Sequence, residues 1–351
     1  MAVKEFSSNP LADDLNHIFA YTKDLWKELK HQRIFITGGT GFFGCWLLES
    51  FAWANKKLDL GASALILTRK PDAFQKKMPH LASDPFIQFH TGDVSSFDFP
   101  QGHFTHIIHG AAESTAKLND ENSLIMFETI VQGTRRTLDF ARETGAKKIL
   151  FISSGAVYGK QPHEITHIPE DFPGGPDPMD KRSAYGEGKR AAELLCTIYA
   201  NQYGLEIKIA RCFAFVGPYL PLDVHFAIGN FIRDGLKGES IFVKGDGTPY
   251  RSYLYTADLA IWLWTILFRG KICHPYNVGS EQEITIGELA YKVAGSFEPP
   301  AQVRIAKKPE PGQFPERYVP LTQRAQTELN LHQTIDLQEA IKRVVIWHVA
   351  K

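Results

Sequence analysis

Cysteine is scarce in this 351-residue chain: Cys45, Cys196, Cys212 and Cys273 lie far apart, and no two form a CxxC pair. That spacing excludes a disulfide-stapled secreted scaffold and suggests no zinc or other metal site, so the four read as reduced residues of apolar segments. Net charge is missing too. Lys+Arg and Asp+Glu both number 39, so no overall field draws the chain to nucleic acid or to a membrane, and any anion site has to be local. Long apolar runs are absent: the longest near-continuous one, Leu259 to Phe268, is too short to span a bilayer, and the N-terminus lacks the basic-then-apolar plan of a signal peptide. A cytoplasmic protein is expected. There is no internal repeat and no low-complexity linker. With 44% hydrophobic and 22% charged residues, the chain can bury a large core in one large domain or two unequal lobes.

What the chain does have is a punctuated stretch near its start. Arg33-Ile34-Phe35-Ile36-Thr37 runs into Gly38-Gly39-Thr40-Gly41-Phe42-Phe43-Gly44, and Cys45, Trp46, Leu47, Leu48, Phe51 and Ala52 continue at helical spacing. This is a strand, a tight turn and a helix. An ordinary βα turn shares the pattern, but three glycines at this spacing suit a dinucleotide. Gly38 makes the turn, Gly41 lets backbone N–H groups approach a pyrophosphate, and Gly44 lets helix and strand pack closely. Thr40, Phe42 and Phe43 complete the candidate cofactor loop. Ahead of it, Leu11 to Lys30 carries an apolar stripe at helical spacing after Ser-Asn-Pro, and reads as an amphipathic helix laid on the nucleotide lobe.

The following segments alternate in the same way. The strand Ala64-Leu65-Ile66-Leu67-Thr68 ends in Arg69-Lys70, where dinucleotide sites place an acidic residue for the adenosine ribose or a basic one for a 2′-phosphate. Arg69 therefore favours NADP(H), with NAD(H) the alternative and a solvated turn before Pro71 the bland reading. Phe86 to Phe89 gives a third strand, followed by Asp93 and Val94 at the adenine end. A fourth, Thr105 to His109, leads to Gly110-Ala111-Ala112, small residues that let backbone lie against a cofactor. His109 reads as structural rather than as a base. A helix over Leu124 to Arg142 and a strand over Lys148 to Ile152 complete an alternation that argues an α/β, Rossmann-type doubly wound parallel sheet.

The reactive side chains gather between Ser153 and Lys189. Ser153-Ser154-Gly155-Ala156-Val157-Tyr158 lies just past the carboxyl end of the fifth strand, the edge where open parallel sheets bind ligands. A Pro/Gly/Asp-rich loop leads to Ser183-Ala184-Tyr185-Gly186-Glu187-Gly188-Lys189-Arg190. Tyr185 and Lys189 share a helix face, and an ammonium near a phenol favours the phenolate. Tyr185 thereby becomes a usable acid or base near neutral pH. Gly186 and Gly188 each cost about 1 kcal/mol of helix propensity, which points to something packed close by.

These motifs together resemble the extended short-chain dehydrogenase/reductase family of nucleotide-sugar epimerases, dehydratases, decarboxylases and 4-keto reductases. The resemblance rests on TGxxGxxG at Thr37 to Gly44, the Ser154 position, and YxxxK at Tyr185 to Lys189. It continues through Ala210-Arg211-Cys212-Phe213, Gly217-Pro218, Asn230-Phe231-Ile232, Val243 to Gly247, Arg251-Ser252-Tyr253, Asp258-Leu259 and Tyr276 to Gly279. It implies that Tyr185 is the acid/base, that Lys189 holds Tyr185 and the nicotinamide ribose, and that Ser154 bonds the reacting sugar oxygen. It further implies that Asn230, Val243, Arg251 and Arg317 face a nucleotide-diphosphate sugar, with Tyr219, His225 and Phe242 near its pocket. The implied organisation is an N-terminal helical extension over 1–30, a cofactor-binding domain over 31–212, and a smaller C-terminal sugar-nucleotide-binding α/β lobe over 213–351 with crossings back into the sheet. A homodimer through the helices Leu124 to Arg142 and Ser183 to Tyr203 is implied as well.

Departures from the family pattern narrow the expected activity. Gly155 and Ala156 follow Ser154 where 4,6-dehydratases carry acidic residues and sugar-acid decarboxylases carry a Glu at the Ala156 position, so both activities are disfavoured. Ile130 and Ala214 stand where many members have Asn. The expectation is NADPH-dependent reduction of a 4-keto-6-deoxyhexose nucleotide in surface-polysaccharide biosynthesis of bacterial type. The alternatives are a 4-epimerase with tightly held cofactor and, third, a non-catalytic cofactor-binding protein.

Overall fold

The computed structural model describes residues 9–112, 121–224 and 226–350. The chain divides into two compact units, one of Met1–Val157, Pro176–Arg211 and Ala260–Tyr276, the other of Tyr158–Gly175, Cys212–Leu259 and Asn277–Lys351.

In the first unit the apolar runs become β1 (Arg33–Thr37), β2 (Ser63–Thr68), β3 (Ile87–Thr91), β4 (His106–His109), β5 (Lys148–Ser154) and β6 (Glu206–Cys212). With Pro275–Val278 they make a seven-stranded sheet in the order Pro275–Val278, β6, β5, β4, β1, β2, β3. The pairings from β3 across to β5 are parallel. Strand order reverses between β1 and β4, which opens a crevice at their carboxyl ends. Ile34, Phe35 and Ile36 are all fully buried, the continuous apolar run of a strand covered on both faces. On one face Phe35 meets Phe97 and Phe140 with ring centroids 5.5 and 4.6 Å apart.

Helices α1 (Ala12–Thr22), α2 (Phe42–Leu58), α3 (Ser123–Thr144) and α4 (Ala184–Tyr203) belong to this unit. Ile130, Leu138 and Phe140 of α3 and Ala192, Cys196 and Tyr199 of α4 share one core with Phe151 of β5 and Ile207 of β6. Two expectations need correction. The helix anticipated over Leu11 to Lys30 stops at Thr22, whose hydroxyl donates to the Ile18 carbonyl at 2.6 Å and accepts from the Trp26 indole at 3.0 Å. That turn sends Trp26 into the core, 4.6 Å from Trp264, at the start of a short 3-10 helix, Trp26–Leu29. The second correction is that β5 runs on through Ser154, so the serine pair ends the strand rather than following it.

The second unit is built of short pieces. Tyr250–Ser252 lies between Glu283–Thr285 (antiparallel) and Arg317–Tyr318 (parallel), and Ile241–Val243 pairs with Val303–Ile305. The helix Ile286–Ala294 starts in a reciprocal cap: Thr285 accepts from the Glu288 amide at 3.1 Å while Glu288 accepts from the Thr285 amide at 2.9 Å. Its buried Leu289 and Val293, and Ile228, Phe231 and Ile232 of the helix Ala227–Leu236, form an apolar interior.

Candidate active site

The junction of β1 and α2 is made almost entirely of backbone. Gly38 has φ +75°, and a Cβ built there would lie 2.6 Å from the carbonyl carbon and oxygen of Gly110, just past β4. A Cβ on Gly44 would lie 2.3 Å from the Gly39 carbonyl carbon. Only glycine lets these strand ends and the helix approach so closely. Gly41 caps α2 in an extended conformation, and no side chain caps the helix's first amides. Such N–H groups at a helix start favour an anion, so this cradle fits the pyrophosphate of a dinucleotide. Thr40, Phe42 and Phe43 are half-buried around it.

Arg69 is exposed immediately past the end of β2. Asp93 is held below the usual carboxylate range, chiefly by the Ser95 hydroxyl at 2.6 Å, against the opposing effect of burial; the Ser95 amide and the Arg69 charge add to the lowering. Val94 packs into the space left at Gly133, 2.9 Å from where a Cβ would stand. Ala111 donates its amide to the Thr37 hydroxyl at 3.1 Å, and Ala112 follows half-buried.

The junction of β5 and α4 is made of side chains. Lys189 is 3% exposed, donates to the Ile152 carbonyl at 2.7 Å, and lies 4.9 Å from the Phe151 ring centroid and 6.0 Å from that of Tyr185. A Cβ on Gly186 would be 2.7 Å from the Ala156 carbonyl oxygen, so the turn leaving Ser154 packs on the backbone beside Tyr185. Ser154 is buried, and its hydroxyl accepts from the Ala156 amide at 3.2 Å. Gly188 faces Ile130 of α3, which explains the second helical glycine. Sequence reasoning overlooked three groups here. Ser153 donates to Glu193 at 2.6 Å, and Arg211 grips the same carboxylate through Nε at 3.0 Å and Nη2 at 2.7 Å. One signal was available, since Glu193 lies one helical turn past Lys189 on the same face.

His109 is structural, and proton accounting fixes its tautomer. Thr134 donates its hydroxyl to the Ile130 carbonyl at 2.7 Å, so it accepts from His109 Nε2 at 3.0 Å; Nδ1 then accepts from Thr37 at 2.7 Å. Burial, reinforced by the Lys189 charge, pushes the imidazole down to about 3, so it is neutral at physiological pH.

The remaining candidates lie in the second unit. Asn230 accepts from Arg233 at 3.2 Å, Val243 is buried, and Arg251 donates to the Tyr250 carbonyl at 2.8 Å. Arg317, on the strand beside Tyr250, pairs with Glu283 and stacks 4.0 Å over the Tyr250 ring. Tyr219 adopts φ +73° with its ring 5.2 Å from that of Trp347, Phe242 is exposed, and His225 lies outside the described residues. Among the described residues no helix is long and apolar enough to cross a membrane, and no cluster of His, Cys, Asp and Glu is arranged to hold a metal.

With this geometry in hand, the sequence model of the NAD dependent epimerase/dehydratase family matches residues 34–279, from β1 to just past the seventh strand of the sheet. The chain belongs to this family. This NAD-dependent epimerase/dehydratase family member is therefore an enzyme of the extended short-chain dehydrogenase/reductase type. It is 32% identical to UDP-glucuronic acid decarboxylase 6 of Arabidopsis thaliana over 278 residues, which cover 79% of this chain and 78% of that one. UDP-glucuronic acid decarboxylase 1 of Danio rerio is 27% identical over 91% of this chain and 73% of its own. Among solved structures, DesIV, a dTDP-glucose 4,6-dehydratase from Streptomyces venezuelae with NAD bound, superposes with a TM-score of 0.75 at 25% identity, over 91% of this chain and 98% of that one. A UDP-glucose 4-epimerase from Thermotoga maritima has the same fold, with a TM-score of 0.75 at 20% identity over 91% and 99% of the two chains.

Proposed function

We propose that this family member reduces the 4-keto group of a nucleotide-linked 6-deoxyhexose, using NADPH. The observation that carries the reading is the turn Ser154-Gly155-Ala156. It keeps the hydroxyl that steadies a reacting oxygen and lacks the carboxylate that elimination or decarboxylation is expected to use, while Tyr185 and Lys189 stand complete on α4.

The chemistry that a bound dinucleotide supplies is hydride transfer at sugar C4. Tyr185 delivers the proton that the C4 oxygen gains, and Ser154 donates a hydrogen bond to that oxygen as negative charge builds. Lys189, its ammonium near the Tyr185 ring, stabilises the phenolate left behind. Gly38, Gly41 and Gly44 form the pyrophosphate cradle, Ala111 and Ala112 border it, and Asp93 and Val94 border the adenine. Arg69 favours the 2′-phosphate of NADP(H). Asn230 and Arg251 contact the diphosphate and nucleoside of the nucleotide sugar, Arg317 is a further candidate contact, and Val243 borders the same substrate. A homodimer through α3 and α4 is part of the reading, supported by the exposed Leu124, Ile125 and Leu194 on those helices.

The names of the curated relatives favour a second reading, decarboxylation of UDP-glucuronic acid. One experiment separates them. The purified protein is incubated with a panel of 4-keto-6-deoxy nucleotide sugars plus NADPH or NADH, with UDP-glucuronic acid plus NAD, and with UDP-glucose alone. Cofactor oxidation with a 4-keto sugar is the expected result. Carbon dioxide from UDP-glucuronic acid, or inversion of UDP-glucose at C4 without added NADPH, overturns it.

A further inference from the structure

Among the contacts that fasten α4 to the end of β5 and the turn beyond it are Gly186 against Ala156, Lys189 on Ile152, and Arg190 on the Val157 carbonyl at 3.3 Å, groups already given a role or packed beside one. One further contact is different. Glu193 is half-buried, one turn beyond Lys189, and reaches the side chain of Ser153, the residue before Ser154. Its Oε1 accepts from both Ser153 Oγ and Arg211 Nε, and its Oε2 takes the second arm of the guanidinium. Both partners of this ion pair are largely shielded from water, with side chains 14% and 12% exposed for Arg211 and Glu193. A carboxylate held this way has one orientation, and through it the last residues of β5 have one register against the helix. We propose that Glu193 is a positioning residue: it sets Ser154 against Tyr185 through the Ser153 hydroxyl, with Arg211 holding the carboxylate in place. The proposal rests on the assignment of Ser154, Tyr185 and Lys189 as the reacting set.

The shared oxygen makes the test specific. Glu193→Ala removes it, whereas Glu193→Gln keeps an oxygen that can accept from Ser153 and Arg211 Nε. For folded Glu193→Ala, kcat falls roughly 10- to 100-fold, as expected when reacting groups lose alignment, while KM for the sugar nucleotide and affinity for the dinucleotide stay within about twofold. Ser153→Ala reproduces most of the loss, the double variant is no worse than Glu193→Ala, and Glu193→Gln recovers most of the activity. Amide hydrogen exchange over residues 150–158 quickens in Glu193→Ala and returns toward the parent rate in Glu193→Gln. Exchange needs no substrate, so a panel without turnover refutes the functional reading and still leaves Glu193 to be decided. Losses from Glu193→Ala and Ser153→Ala that multiply, a Glu193→Ala variant that merely melts at lower temperature with kcat intact, or exchange unchanged over 150–158 each overturn the proposal.

Discussion

Two junctions of the first unit face the same edge of the sheet and are built in opposite ways. Where β1 meets α2 the work is done by missing side chains: Gly38 and Gly44 hold backbone against backbone at distances no Cβ tolerates, and the helix start has no capping side chain. Where β5 meets α4 the work is done by present ones: a lysine on a carbonyl, a carboxylate on a serine and an arginine, a second arginine on a carbonyl. In the proposed function the first junction presents main-chain amides to a ligand whose charge is fixed, and the second has to hold a phenol, an ammonium and a hydroxyl so that a proton moves among them, which needs chemistry backbone amides lack. The contrast predicts that the two junctions fail differently when altered.

The largest failure is expected at the second. Tyr185→Phe removes the proposed proton donor, so turnover drops about 10²- to 10⁴-fold while dinucleotide binding, followed by calorimetry, is retained. Loss of both together means that the side-chain junction is scaffolding, and the comparison breaks. At the first junction Gly38→Ala adds left-handed strain to a backbone overlap. It should cost about 2 to 4 kcal/mol in urea unfolding and weaken dinucleotide binding in parallel. A neutral Gly38→Ala removes the backbone account of that site. Smaller again is Arg69→Asp, just beyond the cradle. If the guanidinium holds a 2′-phosphate, the preference for NADPH over NADH falls roughly 10- to 100-fold, the scale of one charge-assisted hydrogen bond. An unchanged ratio returns Arg69 to the role of a solvated turn residue beside Asp93.

The same contrast explains what could be read from the sequence. Gly38, Gly41 and Gly44 announce themselves because a turn, a close approach and a helix start are local needs, written within a dozen residues. Tyr185 and Lys189 are legible for a similar reason, one helical turn joining them. Ser153, Glu193 and Arg211 were missed because their contacts span 40 and 18 residues and become neighbours only after β5, α4 and β6 line up. The end of α1 was misjudged on the same grounds: an unbroken apolar stripe favours helix, but the Thr22 hydroxyl and the packing of Trp26 against Trp264 and Phe268 favour a turn. The doubly wound parallel sheet followed from the alternation of strand and helix. The patchwork of two- and three-residue strands in the second unit did not, since pieces that short carry no period to detect.

His109 is where the comparison comes under strain, because it puts side-chain chemistry at the backbone-built junction. It ties Thr37 at the end of β1 to Thr134 on α3, and it stays neutral well below pH 6.5 because burial, with the Lys189 charge adding to it, pushes it down to about 3. Burial likewise pushes His106, on the same strand, down to about 4, with the Lys148 charge adding. Both folded values lie below the ordinary 6.5, so on acidification the unfolded chain takes up protons that the native state refuses. Their stabilising effect is complete above pH 6.5 and erodes as pH falls toward 4 and then 3, by roughly 1 kcal/mol per pH unit for each histidine. Urea midpoints measured between pH 6.5 and 5, where most carboxylates stay ionised, should therefore decline, and His109→Gln should remove about half of the slope. Gln can still offer one donor and one acceptor to Thr134 and Thr37, so a lost slope with stability largely kept at pH 7 isolates the proton from the hydrogen bonds. A slope that survives the substitution means His109 already carries its charge when folded, and the Thr37–His109–Thr134 chain must then be drawn with both ring nitrogens donating.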